Sequence, residues 1–125
     1  MSKSKTPALI GGAHTMFYSS DAADLRKFLR DKLGFKATDV GDGWLIFDLP
    51  EADMGCHPAD KKNGAPSGTQ DISFYCEDLE YTVKKLKKKG VVFKGAIEDH
   101  GYGLVTFMKV PGNFYVQLYQ PRYKK

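Results

Sequence analysis

The strongest constraint in this sequence is an internal repeat. His14-Thr-Met-Phe-Tyr18 is matched by Asp71-Ile-Ser-Phe-Tyr75, so that Phe17 falls on Phe74, Tyr18 on Tyr75 and, three residues further, Asp21 on Asp78. Later in each half, Gly43-Trp-Leu-Ile-Phe47 falls on Gly103-Leu-Val-Thr-Phe107. A chain of 125 residues has no room for two independent cores, so the two copies must share one. Each copy reads as strand, helix and three strands. The expected fold is therefore α+β, two tandem βαβββ modules in one domain, with a cleft between their sheets.

Local signals set the element order. Leu9–Ser19 alternates and predicts a strand. Asp21–Leu33 predicts a helix, with Asp21 as N-cap, Asp24 in the first turn, Leu25, Phe28 and Leu29 as the apolar stripe, and Gly34 at the C′ position. Strands follow at Lys36–Val40, Trp44–Leu49 and Met54–His57, the first two joined by a Gly41-Asp42-Gly43 hairpin turn and the third ended by Pro58. Residues 60–68, rich in Lys, Gly, Pro and Ser, read as a linker. The second copy predicts a strand at Thr69–Cys76 and a helix at Asp78–Lys89 with the stripe Leu79, Thr82, Val83 and Leu86, stopped by Gly90. Strands then follow at Val91–Lys94, Leu104–Lys109 and Phe114–Gln120, with a loop at Glu98–Gly103 and a turn at Pro111-Gly112-Asn113. The expected layout is a disordered lead over residues 1–8 and one domain over 9–123, with modules at about 9–59 and 69–121.

Composition excludes several classes. The net charge of +4 is unevenly spread: up to Asp60 there are seven Lys/Arg against nine Asp/Glu, and beyond it twelve against six. Lys84, Lys85, Lys87, Lys88 and Lys89 read as a solvated helix face, and no nucleic-acid motif accompanies them. Two cysteines do not make a disulfide framework, no apolar run reaches the length of a membrane span, and the N-terminal charges lead into no apolar signal segment. The expectation is a cytoplasmic protein with reduced thiols and no nucleic-acid or membrane partner. The aromatic share of 13 % leans toward a small-molecule pocket.

The two-residue period of a strand locates that pocket. Ile72, Phe74 and Cys76 form an apolar face, and so do Phe114, Val116 and Leu118; Met54 and Cys56 are assigned to the same helix-facing side. The opposite faces gather His14, Tyr18, His57, Asp71, Ser73, Tyr75, Tyr115, Gln117 and Tyr119. Buried hydrogen-bonding groups need partners, and a solvated cleft that binds a polar, aromatic-compatible ligand provides them. The tyrosines serve either to stack on a planar ligand or to pack on one another. His14 fits a metal ligand, a general base, a ligand contact or a hydrogen-bonded sheet histidine. Asp71 calls for a partner, whether His14, a metal or a ligand cation. His100, in Asp99-His100-Gly101-Tyr102-Gly103, reads as a solvated loop residue.

From about Ile10 to Arg122 the chain resembles the glyoxalase/bleomycin-resistance/extradiol-dioxygenase superfamily, the vicinal oxygen chelate proteins. The matching segments are His14-Thr-Met-Phe-Tyr-Ser, Lys32-Leu-Gly-Phe35, Asp71-Ile-Ser-Phe-Tyr-Cys-Glu-Asp78-Leu, Gly90-Val-Val-Phe93 and the closing Val110-Pro-Gly-Asn113 through Val116-Gln-Leu-Tyr-Gln-Pro121. The resemblance implies a half-open mixed β-barrel, a homodimer and often a divalent metal. The family's metal positions fall on His14, Gly55, Asp71 and Gln117. Gly55 has no side chain and Gln117 is a weak donor, so no tightly bound metal is expected; any divalent ion would meet His14, Asp71, Gln117 and, from the rim, His57. The resemblance further implies a glyoxalase- or dioxygenase-like protein, lyase or dioxygenase in type, acting on or binding a small polar or aromatic molecule in the barrel cleft, with His14 and Asp71 as its catalytic candidates. Tyr18, Ser73, Tyr75, Tyr115, Gln117 and Tyr119 are then its ligand contacts. The alternative is a non-catalytic, drug-sequestering protein of the same superfamily.

Overall fold

The computed structural model describes residues 14–53, 55–56 and 58–123. Helix α1 (Ala22–Lys27) widens after Lys27 into a π-helical turn, Phe28–Lys32, and buries Leu25, Phe28 and Leu29 as the stripe requires. The turn is closed by the Leu33 N–H donating to the Phe28 carbonyl (3.2 Å) and the Phe35 N–H to the Leu29 carbonyl (3.1 Å), with Gly34 between them at φ +78°. A hairpin, β1 (Lys36–Asp39) and β2 (Leu45–Asp48), follows across the expected glycine turn. A 3₁₀ turn at Lys61–Asn63 lies within the linker. The second module contains β3 (Ser73–Tyr75), α2 (Leu79–Lys88), β4 (Glu98–Asp99), β5 (Gly103–Val110) and β6 (Phe114–Pro121).

The second module has the βαβββ topology in full. Its sheet runs β3-β6-β5-β4, with β3 parallel to β6 and the other pairs antiparallel. Among the described residues of the first module, only the middle hairpin forms a sheet: His14–Tyr18 joins none, and neither do Gly55 and Cys56. The rest of the expected first strand, and Met54 and His57 of the expected fourth, lie outside the described residues.

Three local expectations are corrected. Asp21 does not cap α1 with its side chain; Ser19 Oγ accepts from the Asp21 N–H (3.0 Å) and donates to the Pro111 carbonyl (2.8 Å), pinning the helix start to the β5–β6 turn. Its repeat mate Asp78 does cap, accepting from the Tyr81 N–H at 3.1 Å. The strand expected at Val91–Lys94 shrinks to one bridge, Phe93 opposite Met108, because Gly95 turns the chain at φ +71°. Pairing resumes at Glu98–Asp99, inside the segment expected to be a loop.

Both helices serve one core. Leu25, Phe28 and Leu29 of the first module cluster with Leu79, Val83, Leu86, Met108, Val116 and Leu118 of the second. The Phe35 and Phe74 rings, 5.1 Å between centroids, and Phe17 and Phe114, at 6.0 Å, seal the joint. Phe74, Val116 and Leu118 thus face the helices, and the alternate residues of β3 and β6 are left to the other side. Cys76 packs against the core and burial raises its thiol pKa. Cys56, also expected to face the helices, is exposed and lies in no strand.

Candidate functional site

The outer face of the second sheet is built by register. Ser73 pairs with Gln117 and Tyr75 with Tyr119 across the parallel β3–β6 ladder. Across β5–β6, Phe107 pairs with Gln117, Val105 with Tyr119 and Lys109 with Tyr115. Directly opposed residues project to the same side, so one surface carries Ser73 and Tyr75, then Tyr115, Gln117 and Tyr119, then Val105, Phe107 and Lys109.

Hydrogen bonds fix this surface from within. The Gln117 Nε2 donates to Ser73 Oγ (3.2 Å), and its Oε1 accepts from the Tyr102 hydroxyl (3.1 Å). Each partner is a hydroxyl, able to donate or accept, and together the two hold both ends of the amide in place. Tyr119 meets Tyr75 and Tyr102 edge-on, at centroid distances of 6.0 and 5.8 Å, and its hydroxyl is hydrogen-bonded to that of Tyr123 across 2.7 Å. Burial above all, then the Tyr123 hydrogen bond, pushes the Tyr119 phenol well above the usual phenol range. It is a neutral hydroxyl here, not a base. The Tyr75 hydroxyl donates to Glu51 at 2.6 Å, so the loop after β2 brings the first module to the rim.

Tyr102, Glu51 and Tyr123 were not legible as site residues. Tyr102 sits at the head of β5 in a turn held by the Gly101 N–H on Asp99 Oδ1 (2.9 Å) and by Arg122 Nη1 on the same oxygen (2.7 Å). His100, in that turn, bonds Glu98 at 3.1 Å and meets the Tyr102 ring edge-on at 6.1 Å. Applying the two-residue period to residues 103–110 would have placed Val105, Phe107 and Lys109 on this face. Nothing in the sequence signals Tyr102, whose contacts depend on the fold of the turn.

Two hollows border the sheet. A cavity of about 530 Å³ lies between the His14–Tyr18 stretch and the starts of β3 and β6, bordered by His14, Tyr18, Asp71 and Tyr115. A second, of about 490 Å³, adjoins Tyr75, Cys76, Glu77, Gln120 and Pro121. The expected site residues are therefore divided. His14, Tyr18, Asp71 and Tyr115 share the first cavity, whereas Ser73, Tyr75, Gln117 and Tyr119 form the bonded patch beside it. Tyr18 is 89 % exposed and packs on nothing extensive. His57 lies outside the described residues.

The donor set of the described residues does not fit a divalent metal. Among the described residues no three His, Cys, Asp or Glu side chains come together. Gly55 offers no ligand, and both ends of the Gln117 amide are already engaged by Tyr102 and Ser73.

The fold defines a class: α+β proteins whose two helix-and-strand halves share one core. The family model of the Glyoxalase/Bleomycin resistance protein/Dioxygenase superfamily matches residues 12–118, and the chain belongs to that family. Similar solved structures include an antibiotic-binding protein, TnmS3, from Streptomyces sp. CB03234 (18 % identity, TM-score 0.61, covering 90 % of this chain and 98 % of that one). A superfamily member from Sphaerobacter thermophilus DSM 20745 is 21 % identical, with a TM-score of 0.63 and coverage of 90 % and 99 %. A lactoylglutathione lyase from Agrobacterium tumefaciens is 13 % identical, with a TM-score of 0.60 and coverage of 90 % and 96 %. At these identities the likeness is one of fold. No curated protein matches the chain. Among the described residues no helix is long and apolar enough to cross a membrane.

Proposed function

We propose that the chain is a small-molecule-binding protein of this superfamily, sequestering a flat aromatic compound on the outer face of the β3-β6-β5-β4 sheet. The observation that carries this reading is the Gln117 amide held between Ser73 and Tyr102 amid the rings of Tyr75, Tyr102 and Tyr119. Rigid phenol rings give contact area at low conformational cost, and the fixed amide gives a polar anchor. The antibiotic-binding relative is consistent with it. A lyase- or dioxygenase-like activity is the second reading, favoured by the imidazole of His14 and the carboxylate of Asp71 on one cavity.

The test is a thermal-stabilisation screen with hydroxylated polycyclic aromatics, repeated on Tyr102→Ala, Gln117→Leu and His14→Ala. Binding that is lost in the first two and kept in the third, with no turnover, is the expected result. Turnover abolished by His14→Ala overturns the sequestering reading in favour of the enzyme. We further propose a homodimer, since β3 is paired on one side only among the described residues and free strand edges need cover. Light scattering giving a mass near 14.0 kDa at all concentrations would refute that assembly.

A further inference from the structure

The outer face of the second sheet is electrically lopsided. At the Tyr119 end carboxylates predominate: Glu51 accepts from Tyr75, Asp53 adds to burial in raising the Tyr119 phenol pKa, Glu98 opposes Val105, and the Arg122 guanidinium nearby is paired with Asp99. At the other end the Lys94 Nζ stands 5.4 Å from the centroid of the Tyr115 ring, and Lys109 is the ladder partner of Tyr115. Both ammonium groups therefore belong to the side that holds Gln117. Asp71, two residues before β3, borders the same cavity as Tyr115. Positive charge thus lies on the β5 side of Tyr115 and negative charge on the β3 side. The Phe107–Gln117 row is two residues along, about 7 Å away at the usual strand rise.

We propose, building on the binding reading above, that this face selects an aromatic anion: a fused-ring ligand lying over Phe107 and Gln117, with an oxyanion substituent on its edge held by Lys94 and Lys109. A solvated lysine is ordinarily a weak anchor because its long chain must be ordered. Here the Tyr115 ring restrains the Lys94 ammonium through a cation–π contact, so part of that ordering precedes binding. Lysines act as point charges, which suits an oxyanion of any geometry and does not demand a planar carboxylate. Asp71 repels the anion from the β3 side and so sets the ligand's direction along the sheet.

The experiment titrates the full chain, at low salt, with two fluorescent probes that share one ring system. These are 8-anilino-1-naphthalenesulfonate and its uncharged counterpart N-phenyl-1-naphthylamine. The sulfonate should bind at least about tenfold tighter, an advantage that high salt erases. Lys94→Gln and Lys109→Gln should each weaken the sulfonate about three- to fivefold and leave the amine unchanged, and Asp71→Asn should tighten the sulfonate. Lys85→Gln with Lys88→Gln, on the exposed face of α2, should alter neither probe. Thermal melts of the four exposed-site variants should match the parent. Equal affinities for the two probes, or a loss in the α2 variant as large as in Lys94→Gln, overturns the proposal. If the amine binds in a manner that Tyr102→Ala abolishes while the sulfonate gains nothing, only the anion selection falls. If neither probe shows Tyr102-dependent binding, the binding reading falls and takes this proposal with it.

Discussion

Gly103→Ala is the substitution whose effect the geometry fixes most tightly. Gly103 is buried at the head of β5, opposite Pro121 of β6. A Cβ there would run into the Gln120 carbonyl oxygen and stand 3.1 Å from its carbonyl carbon and 3.2 Å from the Pro121 Cα. All three are backbone atoms, so no side chain can swing aside, and the two central strands must part locally. Overpacking of this kind costs about 1–3 kcal/mol, which for a domain of this size lowers Tm by roughly 5–15 °C. The disturbance does not stay local. The Gly103 carbonyl accepts from His100 N–H at 2.9 Å, the Tyr102 carbonyl accepts from Arg122 N–H at 2.9 Å, and Tyr102 holds Gln117. Separating β5 from β6 therefore loosens the ring that fixes the amide, and ligand affinity should fall with stability.

The repeat supplies the control. Gly43, the matching glycine of the first module, sits at φ +81° with nothing within 4 Å of an added Cβ. Gly43→Ala should cost about 1 kcal/mol from left-handed backbone strain alone and leave binding untouched. The assay is thermal unfolding of both variants beside titration with N-phenyl-1-naphthylamine. A Gly103→Ala protein that melts within about 1 °C of the parent and binds equally well would refute the close-approach argument.

Four further outcomes follow. Asp78→Ala should cost about 1 kcal/mol in a denaturant titration, because its carboxylate caps α2; Asp21→Ala should cost much less and Ser19→Ala more, since the serine makes the bonds at that helix start. Arg122, then the Gly101 N–H, hold Asp99 below its ordinary value of 3.8, so its contribution is full above that value and is lost as pH falls through the lower folded one. The Tm gap between parent and Asp99→Asn should accordingly narrow on acidification. Tyr119, pushed up by burial, contributes stability that is full below the ordinary phenol value of 10.0 and is lost as pH rises through its higher folded value; Tyr119→Phe should flatten the alkaline limb of the stability curve. Dialysis against a chelator should leave well under one equivalent of zinc, nickel or manganese, and a full equivalent lost on His14→Ala would show a metal site that this donor set does not suggest.

Much of the second module was legible because its signals are short-range. The Leu79, Val83 and Leu86 stripe, the Asp78 cap, the turn before Phe114 and the alternation of β6 each act within a few residues. The Ser73, Tyr75, Gln117 and Tyr119 patch came from alternation alone. What was not legible depends on partners far apart in sequence. Ser19 replaces Asp21 at the helix start because Pro111, 92 residues away, gives its hydroxyl an acceptor. Tyr102 and Glu51 join the site through contacts 15 and 24 residues distant, and neither lies on an amphipathic element that would mark a face. The edge strand moved from Val91–Lys94 to Glu98–Asp99 because Gly95 takes a left-handed turn, and glycine composition alone does not say which glycine will.

The repeat also explains why the site is lopsided. Lys89 Nζ donates to the Lys32 carbonyl at 3.3 Å, and these residues stand 57 apart, the same separation as His14 and Asp71. The contact joins the ends of the two helical segments at equivalent positions of the repeat. Each of those ends leaves carbonyls without helical partners, and here a lysine from one serves the other. Around that shared hub the two halves diverge. The β5–β6 ladder spans eight residues per strand, whereas β1 and β2 span four. A long ladder holds alternating side chains in fixed register and makes a rigid floor; a short hairpin cannot. The second module accordingly provides Tyr115, Gln117, Tyr119, Phe107 and Lys109 from two adjacent strands. The first contributes rim groups, Glu51 after its hairpin and the His14–Tyr18 stretch along the cavity. With floor and rim on separate modules, substitutions at His14 or Glu51 should leave the shared core, and with it Tm, close to the parent's.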